Sequence, residues 1–196
     1  MWTPLLEQLD GKRAPWWPGY RVKIIDGNCL EARERRLKAL RAVQAGALPG
    51  KSLVIYEPAH GLVREVFPCE DGHAQERSML GLVLETVHAD DLWMQDRNCC
   101  PCAFLCEIDR RDACFITRQH DGLPFEVVSG LRSVGRIATG HVAEQRVQVW
   151  DAQGGAHLFR RLRVKLDQAT RDGDKVLYIL TNFPLRKASA TRVARV

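Results

Sequence analysis

Apolar and polar positions alternate along this chain with a period that changes several times. Val22, Ile24 and Ile25 are β-branched and run into Asp26-Gly27-Asn28. Such a run favours a strand, and Gly-Asn is a signal that ends one. Asp26 then falls at the C-terminal end of a buried strand, where open α/β sheets place their ligand-binding groups. Over 31–44 the period becomes helical, with Leu37, Ala39, Leu40 and Val43 as the apolar stripe. Arg33, Arg35, Arg36, Lys38 and Arg41 fill the rest of that helix, as a solvated face or a phosphate-tracking one. Gly46, Pro49 and Gly50 end it.

Residues 52–56 and 62–67 read as the half-buried strands of a hairpin around Pro58-Ala59-His60-Gly61. A crossover helix is expected from Asp71 to about His88, its core face being Met79, Leu80, Val83, Leu84 and Val87. Leu92-Trp93-Met94-Gln95 is a second short strand that ends in an acid, Asp96, and Asn98 breaks it. A helix over 101–110, with Pro101 in its first turn, precedes a strand over 114–118. From about 120 to 183 the pattern turns to period two. Strands are expected over 125–128, 140–150, 158–166 and 176–180, punctuated by glycines. Residues 1–20 carry little regular signal, and Trp16-Trp17, inside a Pro- and Gly-containing loop, read as a packing plug.

Composition narrows the class. At 196 residues and 45% apolar, the chain has material for one domain, or one domain with a large insertion. No stretch approaches the roughly 18 apolar residues of a membrane span, and the N-terminus lacks a signal-peptide pattern. Seven cysteines, an odd number, with five crowded into 99–114, suit reduced thiols better than a disulfide framework. A cytoplasmic protein is therefore expected. The net charge of +5 is uneven: 1–106 carry −1 and 107–196 carry +6. The basic half suits a polyanion such as DNA, and equally an ordinary solvated surface.

Two acids at strand ends become one site if their strands are neighbours. Carboxylates bind hard cations such as Mg²⁺ through oxygen, and a pair of such ions roughly 3.5–4 Å apart clamps the oxygens of a phosphoryl transfer. Asp at a strand end also serves simply to cap a following helix. The Cys99-Cys100-Pro101-Cys102 run with Cys106 contains a Cys-x-x-Cys spacing, but no second pair or histidine pair completes a zinc set. Small buried thiols are the better account of it.

Ile25-Asp26-Gly27-Asn28-Cys29-Leu30, Leu48-Pro49-Gly50-Lys51-Ser52-Leu53, the run from Cys69-Glu70-Asp71-Gly72-His73 through Gln75-Glu76-Arg77, Gln95-Asp96-Arg97-Asn98 and Leu180-Thr181-Asn182-Phe183-Pro184 occur in that order. In these motifs, from about Gly19 to Pro184, the chain resembles DDE transposases of the IS-four type, bacterial insertion-sequence enzymes with an RNase H-like core. The resemblance implies an α/β fold: an RNase H-like mixed sheet flanked by helices, with an all-β insertion in the C-terminal half. It implies a lead-in over 1–20, a first part of the catalytic core over 21–119, the β-rich insertion over 120–183, and the start of a truncated helical segment over 184–196. Asp26 and Asp96 are then the catalytic, metal-binding carboxylates, with Mg²⁺ or Mn²⁺ as cofactor, and DNA (transposon ends and target) as partner. The third acid of the family, a Glu in a Tyr…Arg…Glu signature, has no counterpart here and is expected beyond residue 196, leaving this chain inactive alone.

Arg97, Arg160, Arg161, Arg163, Lys165 and Trp150 are candidate DNA contacts, the cations toward phosphates and Trp150 toward an unpaired base. Ion pairing or a solvated strand face accounts for the cations equally well. The alternative function is a non-catalytic DNA-binding protein or an inhibitor that meets full-length transposase. A homodimer is a further possible assembly. A free-standing nuclease would need a third acid within the chain, beside Asp26 and Asp96.

Overall fold

The computed structural model describes residues 16–29, 51–69 and 76–196. The helix expected over 31–44 and the opening of the one expected from Asp71 lie outside these residues. The strands are β1 (Arg21–Cys29), β2 (Lys51–Glu57), β3 (Leu62–Cys69), β4 (Asp91–Gln95), β5 (Cys114–Arg118), β6 (Glu126–Val127), β7 (Arg132–Ile137), β8 (Gly140–Trp150), β9 (Ala156–Leu166) and β10 (Val176–Thr181). The α-helices are α1 (Leu80–Leu84), entered through a 3₁₀ turn at Glu76–Met79, α2 (Cys102–Arg110) and α3 (Ala190–Val193).

The expected α/β architecture, an RNase H-like sheet flanked by helices and carrying an all-β insertion, is corrected by this arrangement. Among the described residues the chain is mostly β, a single ten-stranded mixed sheet with three short helices. The strand order is β3-β2-β1-β4-β5-β10-β9-β8-β6, and β7 shares the outer edge of β8. Among the described strands, only β1/β4 and β4/β5 pair in parallel. The β-rich half extends the sheet of the first half: β10 pairs antiparallel with β5 and then with β9. Without β10, β5 would present an open row of backbone donors and acceptors.

The period-two pattern explains most of the strands and fails in two places. β7 was not expected, because Gly135 interrupts its alternation. The register shifts there, between Ser133 and Gly135, and Gly135 has φ +138; a bulge of this kind takes a glycine readily. The expected half-burial of the strand over 62–67 is not found, since β3 is an outer edge strand with Leu62, Val63 and Val66 exposed. Helix α1 ends at Leu84 rather than near His88. The Thr86 hydroxyl donates to the Val83 carbonyl, and Lys23 Nζ takes the Thr86 carbonyl at 2.7 Å, so the chain turns down into β4.

Apolar side chains fill both faces of the sheet. On one, Ile25, Leu53, Ile55, Trp93, Phe115, Phe159 and Leu180 meet Met79, Leu80 and Val83 of the first helical segment and Phe104, Leu105 and Ile108 of α2. On the other, Val22, Leu92, Met94, Ile116, Leu162 and Val164 meet Trp17, Phe183, and Ala190 and Val193 of α3. Trp17 acts as the plug its loop suggested, edge-on to Phe183 at 5.3 Å, while Trp16 is exposed. At the N-terminal end of the parallel strands, fully buried Asp91 pairs with Lys23 (2.8 Å) and Arg21 (2.6 Å).

Candidate metal site and basic surfaces

Asp26 and Asp96 are brought together by strand register. The parallel β1/β4 ladder ends at Ile25 opposite Gln95, so the two acids are the next residue on each strand. Gly27-Asn28 does not end β1, which runs on against β2 through Cys29. What ends is the pairing with β4, because the chain leaves Asp96 for a 3₁₀ turn at Arg97–Cys99. Neighbouring strands are about 4.8 Å apart, which sets the spacing of the two backbones. Alternation carries Asp26 to the face of Ile24 and Asp96 to the face of Met94, one side of the sheet.

Both acids are exposed, and among the described residues neither carries an ion pair. They line a cleft of about 750 Å³ with Ile116 and Ile179 as floor and the turn at 193–196 as one wall. Arg118 and Arg195 bring positive charge to it, although Arg118 also holds Asp174 at 2.5 Å.

Glu76 approaches the same strand ends from the α1 side. A Cβ built on Gly27 would overlap the Glu76 carboxylate, so only a glycine leaves it that place. Burial first, and then the charges of Glu76, Asp96 and Asp26, push the Cys99 thiol up to about 12. Three carboxylates thus stand near the same strand ends, Glu76 on the α1 face of the sheet and Asp26 and Asp96 on the other. Among the described residues no three His, Cys, Asp or Glu side chains converge on a point that would hold a metal ion. The donors present still suit a hard cation: Mg²⁺ is commonly held by one or two carboxylates, with waters and substrate phosphates completing its shell. The sequence assigns Glu76 to the run through Gln75-Glu76-Arg77 and not to the catalytic set. Nothing in that run showed that it would fold back beside β1.

The other candidate residues are dispersed. Arg97 is exposed in the turn after Asp96. Arg161, Arg163 and Lys165 alternate onto the face of β9 that carries Phe159, opposite the cleft. Arg161 is held there, donating to Gln119 Oε1 at 2.6 Å and stacked on Tyr178 at 3.7 Å and Phe125 at 4.8 Å. Lys165 is exposed and Arg163 half-buried. Trp150, at the end of β8, is 40% exposed and alternates to the other face; its carbonyl accepts from Cys102 Sγ. Cys99, Cys100, Cys102, Cys106 and Cys114 are free thiols. Burial pushes Cys106 and Cys114 up to about 12, which leaves them protonated and unreactive at neutral pH.

No protein-family model matches the chain, and no curated protein sequence matches it. Among the described residues no helix is long and apolar enough to cross a membrane.

Proposed function

We propose that this chain carries part of a site for DNA phosphodiester chemistry, a divalent cation, Mg²⁺ or Mn²⁺, being held by Asp26 and Asp96; the chemistry is that of DNA cleavage and strand transfer in transposition, and alone the chain binds the cation without turning over. The sequence resemblance to DDE transposases suggests the reaction. The single structural observation that supports it is the parallel β1/β4 register, which sets the two acids side by side on one face. A bound cation supplies water activation and charge stabilisation at the phosphate. The chain's own residues do the rest. Asp26 and Asp96 offer the oxygen ligands, the apolar floor of the cleft limits competing water, and Arg97 meets a phosphate oxygen. Reduced thiols at Cys99, Cys100, Cys102, Cys106 and Cys114 agree with a cytoplasmic setting.

Calorimetric titration with Mg²⁺ of the wild-type chain and of an Asp26→Asn/Asp96→Asn double variant tests the assignment. Binding is expected for the first and not for the second. Equal binding by both would remove Asp26 and Asp96 from the site.

A second reading rests on the cations of β9. Arg163 and Lys165, with the +6 charge of 107–196, support metal-independent DNA binding by a non-catalytic protein, one that pairs with itself or with a full-length transposase. A salt-dependent mobility shift of DNA that persists in chelator, and falls in an Arg163→Ala/Lys165→Ala variant, separates it from the first.

A further inference from the structure

A second hollow, of about 410 Å³, opens on the same face of the sheet as the acid cleft, beyond α3, where β7, β8 and β9 meet. Its wall carries Arg132, Arg146 and Arg160 against one acid, Glu144, with Ser129, Ser133 and Ser189 between them. Arg146 and Arg160 are directly opposite each other in the antiparallel β8/β9 ladder. Like charges so placed repel. Glu144 answers Arg160, at 2.5 Å from its Nε. Arg132, which faces Glu144 across β7/β8, and Arg146 bring two further positive charges to the same hollow.

Arg160 is the fixed member of the set. It is 9% exposed, and its Nη1 donates to the carbonyls of Phe183 (2.7 Å) and Ala188 (3.1 Å). Its Nη2 is buried and finds no acceptor among the described residues. A buried guanidinium donor left unmet is costly, and an anion seated against Arg160, which lines the hollow, is a group that relieves the cost. A carboxylate offers two oxygens. Three guanidiniums from three strands, with hydroxyls between them, match an anion that accepts on more sides.

We propose that this hollow binds a phosphate group, with Arg132, Arg146 and Arg160 as donors and the serine hydroxyls completing its shell. The phosphate is either the free anion or part of a nucleic-acid backbone. Three strand spacings separate β4 from β9, about 15 Å across the sheet, a span that a few nucleotides cover. The proposal does not depend on a metal at Asp26 and Asp96.

The test titrates inorganic phosphate against the full chain in chelator, with ionic strength held constant by sodium chloride, and follows the melting temperature. A saturable rise is expected for the wild type and for the Asp26→Asn/Asp96→Asn variant. Arg132→Ala and Arg146→Ala remove exposed side chains and should melt like the wild type without phosphate. Each should bind phosphate at least roughly tenfold more weakly. A short single-stranded oligonucleotide distinguishes the sources. If phosphate displaces it and Arg146→Ala weakens it equally, the ligand is backbone phosphate; if neither happens while phosphate still binds, the ligand is the free anion. A response no larger than that to chloride, or equal responses in wild type and both arginine variants, overturns the proposal.

Discussion

Cys99 reports on the acids around it. Its thiol is buried under α1 and α2, and the Glu76 carboxylate is the largest charge effect upon it, ahead of Asp96 and Asp26. Removing that charge favours the thiolate, so Glu76→Gln should bring the Cys99 value down from about 12. Thiolate absorbance through an alkaline titration, with Cys99→Ser as the blank, measures it. No change would mean that Glu76 does not sit against Gly27 in solution. At this scale the sequence put Asp26 and Asp96 directly after apolar, strand-forming runs, and both runs are strands. It did not show how Glu76 returns to β1, nor that Arg160, one of the cations suited to a DNA backbone, would be buried among neighbours from β7, β8 and the turn before α3.

Helix α2 is fastened to the hairpin between β8 and β9 by a charged clamp. His157 is hydrogen-bonded through both ring nitrogens, 2.7 Å from Asp109 and 3.2 Å from Asp151. Arg110 bridges Asp151 and Glu107, and Asn182 holds the other Asp109 oxygen at 2.8 Å. Burial alone would raise the Asp151 carboxyl. The N–H groups of Gly155 and Gln153, with His157 and Arg110, outweigh it and hold it down at about 2. An unfolded Asp titrates near 3.9. The folded value is therefore the lower one, and the stabilisation is present above about pH 4 and lost as pH falls toward 2. Asp151→Asn should be less stable than wild type at neutral pH, and the gap should close between about pH 4 and 2. Urea unfolding at fixed pH steps follows this, and a gap constant through that window would exclude Asp151 as its source. The elements that the clamp joins were legible in advance: α2 from its helical period after Pro101, β8 and β9 from strict alternation. The clamp was not, since a solvated His and Asp look the same in sequence as a paired set. β7 was hidden for a different reason, the break that Gly135 makes in its period.

One continuous sheet decides how the whole molecule holds together. β5 comes from the first half of the chain and has β4 on one side, but on the other it pairs with β10, which in turn pairs with β9. Phe115 of β5 and Phe159 of β9 are both fully buried and meet edge to face at 5.0 Å. The change of period near residue 120 suggested a β-rich insertion on an α/β core. Pattern alone does not show whether such strands form a sheet of their own or add to an existing edge, because alternation fixes which face is buried and not which neighbour is bonded. The two arrangements melt differently. With shared ladders and a shared core, Phe159→Ala removes roughly 3–5 kcal/mol from the entire fold. Trp93 and Trp150 lie on either side of the β5/β10 junction. Fluorescence of single-Trp variants retaining one or the other should therefore fall in a single transition, lowered equally by Phe159→Ala and coincident with loss of the far-ultraviolet β signal. If Trp150 reported an early transition in Phe159→Ala while Trp93 kept the wild-type midpoint, the β8–β10 strands would be an independent unit.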